Sequence, residues 1–185
     1  MAGTSQDATD GIRIYRASDA PDLNESGAAV NDFGTNTDLR EAALKLASSE
    51  CSRSRLLIHQ SREEGGLSMV YLFFKPNFPL FRHMHDVDSL YIIISGSIEG
   101  LMGTETLRPG DIFSVKAGNP YYYTAGPEGV EVLEMFRDAD VATIIYTENP
   151  DGRLEQAQEA VRVNADAWAK ITDGPLFLAN AGAGS

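Results

Sequence analysis

Cysteine occurs once in these 185 residues, as Cys51, tryptophan once, as Trp168, and histidine three times. One cysteine excludes an intrachain disulfide and any CxxC metal or redox pair. Basic side chains are scarce as well, 15 against 27 acidic ones, for a formal charge of −12. The nearest thing to a basic cluster is Arg53 with Arg55. That is too little to neutralise a phosphate backbone or an anionic lipid surface, so neither nucleic acid nor membrane is an expected partner. No apolar run approaches the length of a membrane span. The opening residues, Met1-Ala2-Gly3-Thr4-Ser5-Gln6-Asp7, lack the charged and apolar regions of a secretory signal, and the expected location is cytoplasmic. There is no phosphate-binding glycine loop, and serine, though abundant, has no base set beside it as in a nucleophile triad. What remains is a chain with 43% hydrophobic residues, enough to fold around one real core.

The texture changes three times along the chain. Residues 1–36 form a polar arm in which Ile12, Ile14 and Tyr15 allow one short strand. Residues 37–54 are a helix and linker, capped by Thr37 or Asp38, with Leu39, Ala43 and Leu46 on one face. Residues 55–147 are short β-like runs punctuated by glycine and proline, with no long amphipathic helix between them. This pattern predicts an all-β dominated, antiparallel barrel rather than an α/β sheet. Residues 148–185 form a helical C-terminal extension. Arg153–Val161 and Ala165–Ile171 read as two helices, with Trp168 anchoring the tail against the barrel and Gly182–Ser185 frayed.

Within the β region the informative spacing is His83-Met84-His85, just before the apolar run Leu90–Ile94 and Gly96. Residues two apart on a strand point to the same face, so the two imidazoles converge on one point and begin a metal site. Pro109-Gly110-Asp111 then precedes a further β run, and Pro-Gly suits a type II turn. Gly96 stands where the strand is expected to turn back into a hairpin partner, Ser97–Met102.

His-x-His, the glycine-flanked apolar strand and Pro-Gly-Asp together resemble the two motifs of the cupin superfamily, over roughly Leu67 to Met135. The resemblance implies a double-stranded β-helix, or jelly-roll, barrel whose interior holds a small molecule. It also implies a divalent metal, iron, zinc, manganese or nickel. The motifs are degenerate. Counting from Gly96 and Gly110, the family's glutamate ligand falls on Ser89 and its last histidine on Tyr121, and the proline of the second motif is Lys116. Three readings follow. In one, His83, His85 and Tyr121 hold the ion. In another, His59 supplies a third nitrogen, although a structural role suits it better. In the third, no metal is bound, and His83, His85, Ser89 and Tyr121 hydrogen-bond a ligand or act as acid and base.

The expected function is that of a cupin-like small-molecule enzyme, an oxygenase, isomerase, cyclase or lyase. Tyr121 and Ser89 are its catalytic candidates, and Arg82, Tyr91 and Tyr123 contribute to the substrate pocket. The alternative is a ligand-binding or accessory cupin without turnover. Glu131 and Glu134 are weighed as pocket acids but fit an exposed strand face better. Asp86 and Asp88 fall on the face opposite Ser89. The strand Leu67–Phe74 is apolar on both faces, and one barrel interior buries only one. A homodimer is therefore expected, its rival being a monomer whose own helix and tail cover the outer face.

Overall fold

The computed structural model describes residues 12–47, 49–60, 63, 66–137, 143–146 and 151–175. The beginning of the polar arm, most of the Ser61–Gly66 turn, Val141, Ala142, Asn149-Pro150 and the frayed tail lie outside the described residues.

Among the described residues nine strands curl into one sheet: β1 (Val30–Asp32), β2 (Ser52–His59), β3 (Leu67–Phe74), β4 (Pro79–His85), β5 (Ser89–Leu101), β6 (Glu105–Leu107), β7 (Ile112–Val115), β8 (Tyr121–Arg137) and β9 (Thr143–Tyr146). The chain folds as the expected β-dominated barrel, with a helix before it and another after it. Pairing is antiparallel throughout the described sheet except where β1 runs parallel to β9. The short N-terminal strand is thus Val30–Asp32. Ile12 and Ile14 are instead exposed.

The 17-residue β8 is the hub. Its second half pairs with β3 on one side and β5 on the other, and its first half pairs with β4 and the end of β5. Gly96 corrects the hairpin expected there. β5 runs straight through it, with Gly96 opposite Val130 and Ile98 opposite Ala125, so residues 126–129 bulge out of β8. The hairpin partner of β5's end is β6. Gly96 has φ +69°, and a Cβ placed on it would lie 2.0 Å from the Gly129 carbonyl oxygen. The glycine lets two bent strands touch at a barrel corner.

Alternation along β3 puts Val70, Leu72 and Phe74 inside the barrel and Tyr71 and Phe73 outside. The outer pair is nevertheless fully buried, packed with Ala17, Leu57, Leu133 and Ile171 of the same chain. The apolar face that called for a dimer is therefore covered within one protomer.

Helix α2 (Thr37–Ala47) buries Leu39, Ala43 and Leu46, three to four residues apart, and its cap is Asn36, whose Oδ1 accepts from Leu39 N–H at 2.9 Å. A one-turn helix, α1 (Leu23–Ser26), precedes it and buries Leu23. Helix α3 (Arg153–Trp168) is one element rather than two, since neither glycine nor proline interrupts residues 153–168. It is pinned at its start by Arg153, which donates to Leu80 O, Tyr123 O and Thr124 Oγ1. At its end Trp168 meets Phe78 edge to face, with ring centres 6.1 Å apart.

No described helix is long and apolar enough to cross a membrane.

Candidate functional site

β4 carries His83 and His85 on its inner face, and register sets His83 directly opposite Tyr121 of β8. β5 contributes Ser89 and Tyr91 from the adjoining side, with Tyr91 opposite Glu134. Six polar side chains from three strands therefore meet inside an otherwise apolar barrel, and all six are buried.

Their hydrogen bonds have a direction. His83 Nδ1 is 3.1 Å from the Phe81 carbonyl oxygen, which can only accept. Burial, with the neighbouring His85, lowers the His83 pKa from 6.5 to about 4. The ring is thus neutral near pH 7, with its proton on Nδ1 and a bare Nε2. That nitrogen is 2.8 Å from Tyr121 Oη, so the tyrosine donates to it. Tyr91 Oη, 2.7 Å from Tyr121 Oη, must then donate to Tyr121, and Ser89 Oγ donates to Tyr91 at 3.0 Å. The result is a relay from Ser89 through Tyr91 and Tyr121 to His83. His85 Nε2 reaches the remaining lone pair of Tyr121 at 3.3 Å. Stacking on Phe113, with ring centres 4.3 Å apart, holds Tyr91 in place.

Burial, more than any neighbour, pushes the hydroxyls of Tyr91, Tyr121 and Tyr123 well above the usual tyrosine pKa. None of them rests as a phenolate in this environment.

Two buried acceptors are left over. His85 Nδ1 has no hydrogen-bond partner, and neither has Glu134 Oε1, which lies 3.3 Å from His85 Nε2 but outside hydrogen-bond geometry. Buried polar atoms are rarely left unpaired in a finished structure, so this half of the network is where something else binds.

A cavity of about 150 Å³ opens onto this polar end. His83, His85, Tyr121, Tyr123 and Glu134 line it. Ser89 and Tyr91 stand behind Tyr121 rather than at the cavity wall. Arg82 points away, its guanidinium 5.8 Å from the Tyr122 ring. His59, at the far end of β2, is not among the lining residues. Asp88 lies in a surface turn, bonded to Lys116 Nζ and Ala117 N–H.

Glu131 and Glu134 correct the exposed strand face expected for them: they are 1% and 5% exposed. Three residues apart on one strand, they face opposite ways, so each needs its own cover. Glu134 shares the inner face of β8 with Val130, Val132 and Phe136, an alternation visible in the sequence. Glu131 faces outward and accepts from Tyr71 Oη at 2.6 Å.

Among the described residues no three His, Cys, Asp or Glu side chains are grouped closely enough to hold one ion. An ion here would be held by His83, His85 and Tyr121, with Glu134 beside them. The donor chemistry fits that much. His83 gives its Nδ1 proton to a backbone carbonyl and presents a bare Nε2, as metal-bound histidines do, and Glu134 Oε1 is an unused oxygen.

The His83 environment has a consequence in acid. Its folded pKa of about 4 lies below the unfolded value of about 6.5. The unfolded chain therefore takes up the proton first as pH falls. The stability in question is fully present above pH 6.5 and lost progressively toward pH 4, about 3 kcal/mol in all. In metal-free protein, an NMR titration should find one imidazole still neutral at pH 5. A His83 midpoint at pH 6 or above would contradict the burial described here.

No protein-family model matches this sequence, and no curated protein matches it. Solved structures do resemble it. An RmlC-like cupin from Shewanella frigidimarina NCIMB 400 is 18% identical over 50% of this chain and 80% of that one, with a TM-score of 0.43. KdgF from Halomonas sp. is 19% identical over 49% of this chain and 82% of that one, with a TM-score of 0.41. Oxalate decarboxylase from Bacillus subtilis is 23% identical, the likeness covering 49% of this chain but 26% of that one, with a TM-score of 0.39. Likeness at this level concerns the barrel, and what this chain does has to be argued from its own residues.

Proposed function

We propose that this chain is a small-molecule enzyme that moves a proton in the barrel cavity, with Tyr121 as the group facing the ligand and His83 as the base behind it. One observation carries the reading: Tyr121 Oη is bonded at once to the bare Nε2 of His83 and to Tyr91 Oη. A phenol buried this deeply does not give up its proton alone, and neither does so weak an imidazole take one readily alone. Coupled, they do both. As the ligand displaces the long His85 contact and its proton passes to Tyr121 Oη, the tyrosine's own proton passes to His83 Nε2, and no phenolate need form. The imidazolium that results feels the Glu134 carboxyl, which favours it. Return of the proton to another atom of the ligand completes an isomerisation, a cyclisation or an elimination of the lyase type.

A second reading is favoured by the unpaired Glu134 Oε1 and the bare His83 Nε2, both of which suit a cation. A divalent ion held by His83, His85 and Tyr121 would supply Lewis-acid or redox chemistry in the same cavity. Elemental analysis of untagged protein separates the two readings.

Tyr121→Phe tests the first. It keeps the ring and removes the relay oxygen, so turnover should fall about a hundredfold with ligand affinity within a factor of about three. Because the substitution leaves His83 Nε2 without a donor and the Tyr91 hydroxyl proton without its Tyr121 acceptor, a loss of about 1–3 kcal/mol in stability is expected alongside. Unchanged turnover would remove Tyr121 from the chemistry. Ligand binding without turnover by the native protein would make the chain a binding protein instead.

A further inference from the structure

The cavity is specific about what it would accept. Its volume, about 150 Å³, is that of a site for a benzene-sized molecule. Its wall is apolar, with Leu46, Leu72, Phe74 and Phe78 among the side chains that form it. Exposed Asn24 and Asn31 stand at its outer end, and buried His83, His85, Tyr121 and Glu134 at its inner end. Among the described residues lining it there is no lysine or arginine, and the single side chain of formal charge is Glu134.

The hydrogen-bond assignment then decides what is missing. Tyr121 donates to His83 and accepts from Tyr91, and His85 Nε2 takes its last lone pair. What remains at the inner end is two acceptors without donors, His85 Nδ1 and the carboxyl oxygen Glu134 Oε1. A ligand that completes the site therefore brings an O–H or N–H group. An anion would bring another acceptor beside that carboxyl, with no cation to offset it. An ammonium would be stripped of water along an apolar wall before it reached a single carboxyl, at a cost that one contact does not recover.

We infer that the site takes an uncharged, single-ring-sized molecule carrying a hydroxyl or amine hydrogen that it donates to Glu134 Oε1, with its apolar body against Leu72, Phe74 and Phe78. This rests on the cavity being the enzyme's ligand site, as proposed above, and it narrows the substrate class to neutral hydroxylated or aminated rings of that size.

Calorimetric titration of the native protein with phenol, anisole, benzoate and benzylamine tests the inference. Phenol should bind at least tenfold more tightly than benzoate or benzylamine. It should also bind at least tenfold more tightly than anisole, the same ring with its donor methylated. Glu134→Ala should weaken phenol at least tenfold and leave anisole within threefold. The anisole comparison needs no variant and stands even if Glu134→Ala does not fold. Benzoate or benzylamine binding as tightly as phenol would overturn the inference, as would anisole matching phenol, phenol binding that ignores the loss of Glu134, or no binding by any probe. The two proposals fail separately. Phenol that binds as described, with no member of its class ever turned over, removes the enzyme reading and leaves the ligand class. Turnover of an anion that depends on Tyr121 does the reverse.

Discussion

Gly96→Ala should cost at least about 4 kcal/mol, close to losing the fold in a domain whose whole stability is about 5–15 kcal/mol. Two effects add. At φ +69° an L residue is strained by about 1–2 kcal/mol. The larger effect is contact. The added Cβ would lie 2.0 Å from the Gly129 carbonyl oxygen, 2.8 Å from its carbon and 3.1 Å from Val130 Cα. All three are backbone atoms, so no side-chain rotation relieves the overlap. β5 and β8 would have to part at their shared bend, beside the pairs that set Tyr91 against Glu134. Gly110→Ala is the natural comparison, because φ there is +94° but nothing lies within 4 Å of the new Cβ. It should cost about 1–2 kcal/mol, the strain alone. Urea unfolding of the two variants measures the difference. Equal losses would mean that the strands do not approach so closely.

Lys75→Met should also be damaging, at about 2 kcal/mol. Lys75 follows β3 directly and is wholly buried, with its pKa lowered first of all by that burial and then by Arg53. Its Nζ donates to the carbonyls of Trp168, at 3.0 Å, and of Ile171. These are groups at the C-terminal end of α3, where helical carbonyls lack partners and a cation is favoured. Methionine fills the same space without a donor. Both partners are backbone and cannot be exchanged for something apolar; Trp168 O keeps the Ile171 N–H at 3.0 Å, but Ile171 O loses its donor, at about 1–3 kcal/mol. Locally, the segment after α3 should loosen. Arg53 Nε holds it through Thr172 O at 3.0 Å, and Arg55 through Asp173 at 2.9 Å. Gly174 lies so close over Tyr71 and Glu131 that a Cβ would sit 2.1 Å from the tyrosine oxygen. Hydrogen exchange of the Ile171–Gly174 amides, read beside global stability, checks the account. A loss below about 1 kcal/mol with unchanged protection would refute it.

That segment also bears on assembly. The sequence shows apolar residues on both faces of Leu67–Phe74, a pattern equally consistent with a partner subunit and with a covering tail. Lys75, Arg53 and Arg55 hold the tail over that outer face, through contacts about 93–119 residues apart in the chain that no local pattern announces.

Much of the fold was legible because it follows from short-range rules. Alternation and glycine–proline turns mark the β region, helical spacing picks out Leu39, Ala43 and Leu46, and the two-residue step of His83 and His85 puts both rings on one face. The resemblance to the cupin motifs also brought Tyr121 to the same place, and the pairing of β4 with β8 sets it opposite His83. Other features depended on which strand lies beside which. Glu134 looks like a surface acid until pairing with Val70 of β3 and Tyr91 of β5 turns it into the barrel interior. Gly96 looks like a hairpin turn until β5 is seen to continue along the same partner beyond it. The direction of the relay, and the carboxyl oxygen it leaves unpaired, follow from one backbone carbonyl, that of Phe81, fixing the proton on His83. The sequence alone determines that two imidazoles and a phenol share a barrel interior. Only the tertiary structure decides which of their atoms remain free to meet a ligand, because a hydrogen-bond network is satisfied or left open by atoms that distant strands bring together.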